Sequence, residues 1–169
     1  MNIFYLHDNP YQCGEMHCDK HVVKMILEYA QLLSTAHHEI DGDPCIDCYK
    51  PTHKNHPSAV WARENRSNYI WLWNLLNSLC KEYTKRYGKT HKTESSGIFR
   101  NLSTTPHELR DGKFTEPPQC MPDYCKDDDA VVAYRNYYIR EKSYMAKWKM
   151  DNSPVWYKIG MAIEMKEVA

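Results

Sequence analysis

The sequence predicts an all-α protein, a compact single helical domain over residues 1–169 with a buried helix near its N-terminus at the centre. Two observations support this class. In residues 16–36, a few polar side chains share one helical face, while the other positions are apolar on nearly every side. Such a helix is buried, because a surface helix carries only one apolar stripe. With 169 residues, 42% hydrophobic and 26% charged, the chain is long enough and apolar enough to enclose it.

The first helix is predicted to begin near Glu15 or Asp19, the latter a good N-cap, and to run to about His37. Residues 2–6 alternate weakly in polarity and predict a short extended lead-in. Residues 39–57 contain successive Gly, Pro and Asn turn signals, so they are predicted to form a loop.

A second long helix is predicted from Pro57, which suits the first helical position, to the point where basic residues and Gly88 mark a C-terminus. Residues 90–102 predict a short third helix. Residues 104–123 contain four prolines and are predicted to be an irregular surface loop.

The last long helix is predicted to start after the acidic residues 127–129, which suit the positive end of a helix, and to continue to about Lys147. Ordered structure is predicted to resume over residues 153–158. The sequence contains no internal repeat and no linker, so one domain is expected.

Composition restricts the class of protein. No stretch approaches the ~20 apolar residues that cross a membrane, and residues 1–8 lack the pattern of a secretory signal, so a cytoplasmic protein without a membrane partner is predicted. The seven cysteines are irregularly spaced, which favours reduced thiols. The 22 basic and 22 acidic residues give a formal net charge of zero. That balance counts against a duplex-DNA binder, because such proteins normally carry a basic excess.

The polar stripe of the first helix is the leading candidate for a catalytic site. It contains two imidazoles, an ammonium and a carboxylate, the groups that acid–base chemistry requires. Ionisable groups on a buried helix are costly unless they are paired, so the alternative is a satisfied ion-pair network at the rim of the helix. The stripe consists of His17, His21, Lys24, Glu28 and Gln31.

The loop before the second helix holds another group of candidate residues. Cys45, Cys48, His53 and His56 have the residue types of a zinc site, but the four residues between the two pairs are far fewer than in a zinc finger. We therefore assign no metal and no cofactor. The two histidines flank Lys54 just before a helix N-terminus, where an anion is favoured. The loop therefore predicts a phosphate contact, with a plain helix-entry turn as the alternative.

Basic and aromatic residues interleave at three further places, the combination that base stacking and phosphate contact require. A helix with an aromatic core face and a solvated basic face produces the same pattern, so that alternative stays open. The candidate substrate-binding residues of these segments and of the second helix are Trp61, Lys92, Arg135, Lys142, Trp156, Tyr157 and Lys158.

Three stretches resemble the phage pyrimidine-dimer DNA glycosylase/lyase family of the endonuclease V type, small all-helical enzymes that act on ultraviolet-damaged DNA. Residues 19–28 resemble the first helix of that family, in which an Asp-x-His is followed seven residues later by the catalytic glutamate. Residues 55–57, with the helix that ends at 85–88, resemble the His-Pro element and second helix of bacterial relatives. Residues 140–142 and 154–160 resemble the C-terminal Asp-Glu-Lys and Trp-Tyr-Lys segments.

The resemblance implies a role for each matching residue. Glu28 is expected to assist glycosidic cleavage and proton abstraction, His21 to neighbour the scissile sugar or phosphate, and Lys142 to hold a backbone phosphate. The nucleic-acid surface is expected to include three residues of the tail, Trp156, Tyr157 and Lys158.

Two departures from the family concern its chemistry. The family attacks the sugar C1′ with the amine of an N-terminal threonine. Here Asn2 is too bulky for the usual removal of methionine, so that nucleophile is absent unless the amine of Met1 itself serves. The arginines that flank the glutamate in the family are replaced by Leu27 and Leu32, so compensating cations must come from other elements.

Three functions follow from these observations. The first is a DNA glycosylase or lyase that acts on a damaged or modified pyrimidine, with Glu28 as the acid–base group and DNA as the partner. The second is cleavage of a small (cyclic) nucleotide by His17 and His21, with Lys24 on the phosphate. The third is sequestration of such a nucleotide without turnover. The phosphate-binding cations are expected to converge around His21, Lys24 and Glu28, and they are His53, His56, Lys92, Arg135 and Lys142.

Overall fold

The computed structural model describes residues 1–168, and within that range it contains helices and irregular segments but no strand. The predicted all-α class is therefore confirmed. A single 3-10 turn covers Asp123–Cys125. The α-helices are α1 (Pro10–Met16), α2 (Asp19–Asp41), α3 (Pro57–Ala62), α4 (Arg66–Tyr87), α5 (Lys92–Ser95), α6 (Ile98–Asn101), α7 (Ala130–Glu141) and α8 (Val155–Val168).

The central position of α2 was predicted and is confirmed. Val22, Ile26 and Leu33 have no exposed surface. The helix is nevertheless open on one side, where Val23 and Leu27 are 42% and 41% exposed. Some apolar residues of α2 therefore face a groove on this side and not the core.

The first helical region differs from the prediction at both of its ends. The start at Asp19 agrees with one predicted boundary, but Asn9 caps a separate short helix, α1, before it. The helix ends at Asp41 rather than near His37. It stops there because the next residue, Gly42, adopts a positive φ of 75°, which does not continue a helix. His17 consequently lies between α1 and α2 rather than on α2.

Three other predicted boundaries were wrong for local reasons. The second helix is broken over residues 63–65, because the Asn65 side chain accepts a hydrogen bond from the N–H of Asn68 and starts α4 anew. Residues 90–102 form two single-turn helices, separated by a glycine with positive φ. The last predicted long helix ends at Glu141, and α8 follows as a separate element.

A buried arginine joins α1, α2 and α4. Arg86 is 5% exposed, and its guanidinium donates to the carboxylates of Glu82 at 3.2 Å and Asp19 at 3.0 Å. It also donates to the carbonyl oxygen of His17 at 2.8 Å. The guanidinium charge is paired and its N–H donors are engaged, so Arg86 is tolerated in the core. These bonds also fix the start of α2.

The N-terminal segment runs through the core without regular secondary structure. Ile3 and Leu6 have no exposed surface, and Phe4 and Tyr5 are at most 5% exposed. Four consecutive buried residues hold the preceding Met1 in one place on the molecule. None of the helices formed by residues 1–168 combines the length and the apolar character needed to cross a membrane.

Candidate functional site

Glu28 lies between two amines. The α-amine of Met1 is 3.8 Å from its Oε1, and the Nζ of Lys24 is 4.0 Å from its Oε2. The exposed fraction of the side chain is 19% for Glu28, 70% for Lys24 and 6% for Met1, and residue Met1 as a whole is half-buried. A partly enclosed amine beside a carboxylate is the arrangement that a nucleophile and its proton acceptor need.

A chain of buried hydrogen bonds places the Met1 amine. The N–H of Phe4 donates to the hydroxyl of Tyr29 at 3.0 Å, and that hydroxyl lies 2.8 Å from Nε2 of His17. The other nitrogen of His17, Nδ1, lies 2.8 Å from the carbonyl oxygen of Cys13. Because a carbonyl can only accept, Nδ1 carries the proton and Nε2 accepts from Tyr29. Every polar atom in this chain is thus paired, and the segment that ends at Met1 is tied to the residue next to Glu28.

His17 does not reach the surface. It has no exposed area, and burial lowers its pKa to about 3, with the positive charge of Arg86 lowering it further. The ring is therefore neutral at physiological pH, and both of its nitrogens are engaged. We correct its predicted catalytic role, because no substrate can contact it: His17 positions the N-terminal segment.

His21 is enclosed on one side and lies near cations on the other. Its Nδ1 is 2.6 Å from the hydroxyl of Tyr138, which also accepts from the N–H of Cys18 at 3.2 Å. Burial lowers the pKa of His21 to about 2, and the charges of His17, Lys142 and Lys24 lower it further. His21 is a neutral hydrogen-bond donor and not a base.

A column of rings connects His21 to Lys142. The ring centre of Phe4 lies 4.0 Å from that of His21 and 6.1 Å from that of Tyr137, and the planes are inclined by only 21° and 19°. The Nζ of Lys142 lies 5.0 Å from the Tyr137 ring centre. The structure thus places Lys142 beside the polar stripe, on the side of the N-terminal segment.

His56 lies at the end of the loop before α3 and acts as the N-cap of that helix. Its Nδ1 accepts from the N–H of Ser58 at 3.0 Å and caps α3. Burial lowers the pKa of His56, and the positive charges of the Met1 amine and of His53 lower it further. The ring is therefore neutral with its proton on Nε2. Burial raises the pKa of the Cys120 thiol, and the positive charge of the Met1 amine opposes that shift.

Two buried hydroxyls of α2 hold this loop in place. Ser34 Oγ accepts from the N–H of Tyr49 at 3.1 Å, and Thr35 Oγ1 accepts from the N–H of Thr52 at 3.1 Å. His53 follows with a left-handed φ of 48°, which turns the chain toward His56. These contacts could not be predicted from the sequence, since serine and threonine inside a helix commonly bond only to their own backbone.

The four residues with zinc-ligand side chains do not form a metal site. Within residues 1–168, no group of three or more His, Cys, Asp or Glu side chains is arranged to hold a metal ion. Cys48 Sγ instead lies 3.8 Å from Nε2 of His38. His53 Nδ1 lies 2.8 Å from the hydroxyl of Thr52, and His56 caps α3.

A groove of about 480 Å³ opens between α2 and the start of α5, immediately beside Glu28. Lys24 and Lys92 both line it, as does the half-buried ring of Tyr49. The structure thus brings Lys92 to the Glu28 end of the stripe.

Two predicted substrate-binding residues have other partners. Trp61 is 4% exposed and donates its indole N–H to the carbonyl oxygen of Thr115 at 3.0 Å, so it is a core residue and its predicted role is corrected. Arg135 donates from Nε to the carbonyl oxygen of Leu6 at 3.0 Å, and its guanidinium lies 5.1 Å from the Trp156 ring centre. These contacts, rather than the groove beside Glu28, engage Arg135.

The tail residues pack at the junction of α7 and α8. Trp156 Nε1 lies 3.4 Å from Sδ of Met16, and the Tyr157 ring centre is 4.8 Å from that of Trp148. Lys158 is exposed on α8. The two aromatic rings are therefore half-buried packing residues, and the expected nucleic-acid role of the tail stays a prediction.

The chemistry-bearing group that sequence reasoning placed least well is the Met1 amine. Its position depends on residues 3–6 being buried, and the only sequence signal for that is four consecutive apolar residues at the N-terminus. A comparison of the chain with protein families, curated proteins and solved structures finds no match.

Proposed function

We propose that the protein is a DNA glycosylase with associated lyase activity, acting at a damaged or modified pyrimidine through the α-amine of Met1. The observation that carries the proposal is the 3.8 Å separation between that amine and Oε1 of Glu28. The sequence resemblance alone left the nucleophile in doubt, because Asn2 stands where the family has threonine. The position of the Met1 amine supplies a group of the right chemistry beside the expected carboxylate.

The reaction uses one amine and one carboxylate. The amine lone pair forms a bond to C1′ as the bond from C1′ to the base nitrogen breaks, and the base leaves with a proton. The sugar ring then opens to an imine, with the ring oxygen retained as a hydroxyl. Glu28 takes a proton from C2′, the electron pair forms a C2′–C3′ double bond, and the 3′-phosphate leaves. Water hydrolyses the imine and restores the amine.

Met1 suits the role of nucleophile better than Lys24, the other amine beside Glu28. The side chain of Met1 is 6% exposed and the residue is fixed by the buried segment, whereas the side chain of Lys24 is 70% exposed. A fixed amine needs less ordering to reach a reacting carbon. As a class, α-amines also lose their proton at lower pH than lysine side chains.

The remaining groups suit contact with a phosphate and a sugar. Lys24 supplies positive charge beside Glu28, and the charges of Lys24 and Lys142 both act on His21. His56 caps α3 through Nδ1, so its Nε2–H is available as a neutral donor. Neutral donors orient an anion without adding charge beside the nucleophile.

The second candidate is a protein that binds a small nucleotide without turning it over, and the formal net charge of zero favours it. Its enzymatic version, with His17 and His21 as an acid–base pair, lacks support because His17 has no exposed surface. The groove beside Glu28 would serve the binding version.

Borohydride trapping on a duplex with one abasic site tests the proposal, because the reductant converts an imine into a stable covalent adduct. We expect the wild-type protein to be trapped. One alanine added before Met1 displaces the amine by up to ~3.6 Å and should abolish trapping. The proposal fails if the wild type yields no adduct, or if the extended protein is trapped equally well.

A further inference from the structure

We infer that the groove between α2 and α5 receives one nucleobase together with its adjacent phosphate, so that the substrate is processed as an extruded nucleotide. The inference rests on the proposed function, which supplies the reason for a nucleotide beside Glu28. A base that is to lose its glycosidic bond must leave the stack, and it then needs a pocket next to the reacting carbon. The groove begins at Glu28 itself.

The size and the lining of the groove suit a flat, largely apolar ring. Its volume of about 480 Å³ lies in the range of small-molecule sites, ~300 to 1,000 Å³. Val23 and Leu27 present apolar surface on the α2 side, and both are more than 40% exposed. Exposed aliphatic side chains on the central helix gain by being covered with an apolar face. Tyr49 supplies an aromatic ring in the opposite wall.

The wall opposite α2 is fixed before any ligand arrives. The N–H of Tyr49 donates to Ser34 Oγ at 3.1 Å, and its hydroxyl lies 2.8 Å from Oγ1 of Thr93. Thr93 itself has no exposed surface. Because the backbone and the hydroxyl of Tyr49 are both hydrogen-bonded, its ring loses little freedom when a ligand binds, which favours the contact.

The polar side chains that line the groove match the polar groups of a nucleotide. Gln31 lines the groove one helical turn beyond Glu28, and its amide can both donate to and accept from a base edge. Lys24 and Lys92 line the groove from opposite walls, and both are exposed. The two cations complement a phosphate attached to a base, and they offset the carboxylate of Glu28, which also lines the groove.

The test is an NMR chemical-shift titration with the four deoxynucleoside 5′-monophosphates as probes. Val23→Trp fills the groove from a position that is 42% exposed. Val132→Trp is the matched control on α7, where the valine is 39% exposed and outside the groove. We expect saturable shifts at the residues of the groove, binding weakened at least tenfold in Val23→Trp, and unchanged binding in Val132→Trp. The inference is overturned if no probe binds saturably up to about 10 mM, or if Val23→Trp binds as well as the control.

Two further arms identify the source of the nucleotide. A short single-stranded oligonucleotide that binds more tightly than any monophosphate supports a base extruded from DNA. Tighter binding of cyclic di-AMP or cyclic di-GMP than of the oligonucleotide supports the same groove with a free nucleotide. Either result requires the same loss in Val23→Trp.

Trapping on abasic DNA separates this inference from the proposed function, since an abasic site has no base to place. If the wild-type protein is trapped normally but binds no nucleotide probe, only the groove assignment is overturned. Nucleotide binding that is lost in Val23→Trp, with no trapping of the wild type, supports the groove and overturns the glycosylase/lyase proposal.

Discussion

The two ends of the polar stripe have opposite surroundings, although the residue types that they carry are similar. At His17 and His21 the chain is covered by α1, by the N-terminal segment and by α7, so the imidazoles are neutral and hydrogen-bonded to tyrosines. At Glu28 the carboxylate lies beside two amines and an open groove. The coverage of each position, and not the spacing of its residue types, determines which end packs and which end is open to a ligand.

The enclosed end of the stripe, at His17 and His21, also positions groups at the open end, at Glu28. Tyr29 follows Glu28 directly in the chain, and its hydroxyl binds both the N–H of Phe4 and the ring of His17. The same hydrogen bonds that satisfy the buried histidine therefore determine where the Met1 amine lies.

The largest expected effect is at the open end. Glu28→Gln removes the proton acceptor at nearly constant volume, so turnover should fall by ~10²-fold or more while the thermal unfolding curve stays cooperative. Glu39→Gln is the matched control, because it removes a partly exposed carboxylate from the same helix, where the contact is with Lys54 at 3.9 Å. Equal turnover of the two variants on abasic DNA would refute the role of Glu28.

The enclosed end is probed by Tyr29→Phe. Loss of the hydroxyl leaves the N–H of Phe4 and a nitrogen of His17 buried without a partner, which costs ~1 to 3 kcal/mol of unfolding free energy per group. Because Met1 is no longer held, trapping should also slow by about tenfold or more.

Tyr69→Phe is the control for that experiment. The Tyr69 hydroxyl is also buried, and it donates to the carbonyl oxygen of Leu102 at 2.7 Å and lies 2.9 Å from Nε2 of His37. Denaturant unfolding should show comparable losses of stability in both variants, with slower trapping in Tyr29→Phe alone. Slow trapping in both would mean that general loosening, and not the position of Met1, limits the reaction.

The neutral histidines predict a dependence of stability on pH. Burial lowers the pKa of His17 to about 3 and that of His21 to about 2, whereas both titrate near 6.5 when unfolded. Their contribution to stability is therefore present above pH ~6.5 and is lost as the pH falls toward the folded values, because the unfolded chain takes up the protons first. Each group adds a slope of up to ~1.4 kcal/mol per pH unit.

Urea unfolding between about pH 6 and 5 measures this slope. His21→Phe keeps a ring beside Phe4 but removes one titrating group, so its slope should be smaller than that of the wild type by up to ~1.4 kcal/mol per pH unit. Identical slopes would show that His21 is not held neutral in the folded protein.

The smallest effect is expected at the edge of the open end. Lys142→Ala should weaken binding to an abasic-site duplex by roughly tenfold, since a charge-assisted phosphate contact contributes ~1.5 to 3 kcal/mol. Lys113→Ala removes an exposed lysine from the irregular segment beside Asn65 and should change binding far less. A fluorescence-anisotropy titration in which both variants bind alike would remove Lys142 from the proposed phosphate contacts.

The periodic spacing of apolar and polar residues was sufficient to predict the features that depend on local sequence. It predicted the all-α class, the burial of Val22, Ile26 and Leu33, and the shared face of Lys24 and Glu28. Each of these follows from spacing within one helix.

Features that depend on contacts between distant segments were not predictable in this way. The burial of His17 requires α1 and the N-terminal segment, and the inward direction of Trp61 depends on Thr115, far along the chain. The break before α4 results from a cap at Asn65 that competes with a continuous helical pattern. The position of Met1 combines both effects, because a buried tyrosine holds a segment that has no secondary structure of its own.

Peptide mass spectrometry of the borohydride-trapped adduct, which locates the covalent bond, tests most directly whether the Met1 amine is the nucleophile. Both Met1 and Lys24 present an amine to Glu28, at 3.8 Å and 4.0 Å, so the rival is in the same site. We expect the sugar fragment to be attached to the α-amine of Met1 in the wild type, and to stay there in Lys24→Met. Attachment to the side chain of Lys24, or loss of the adduct in Lys24→Met, would contradict this expectation.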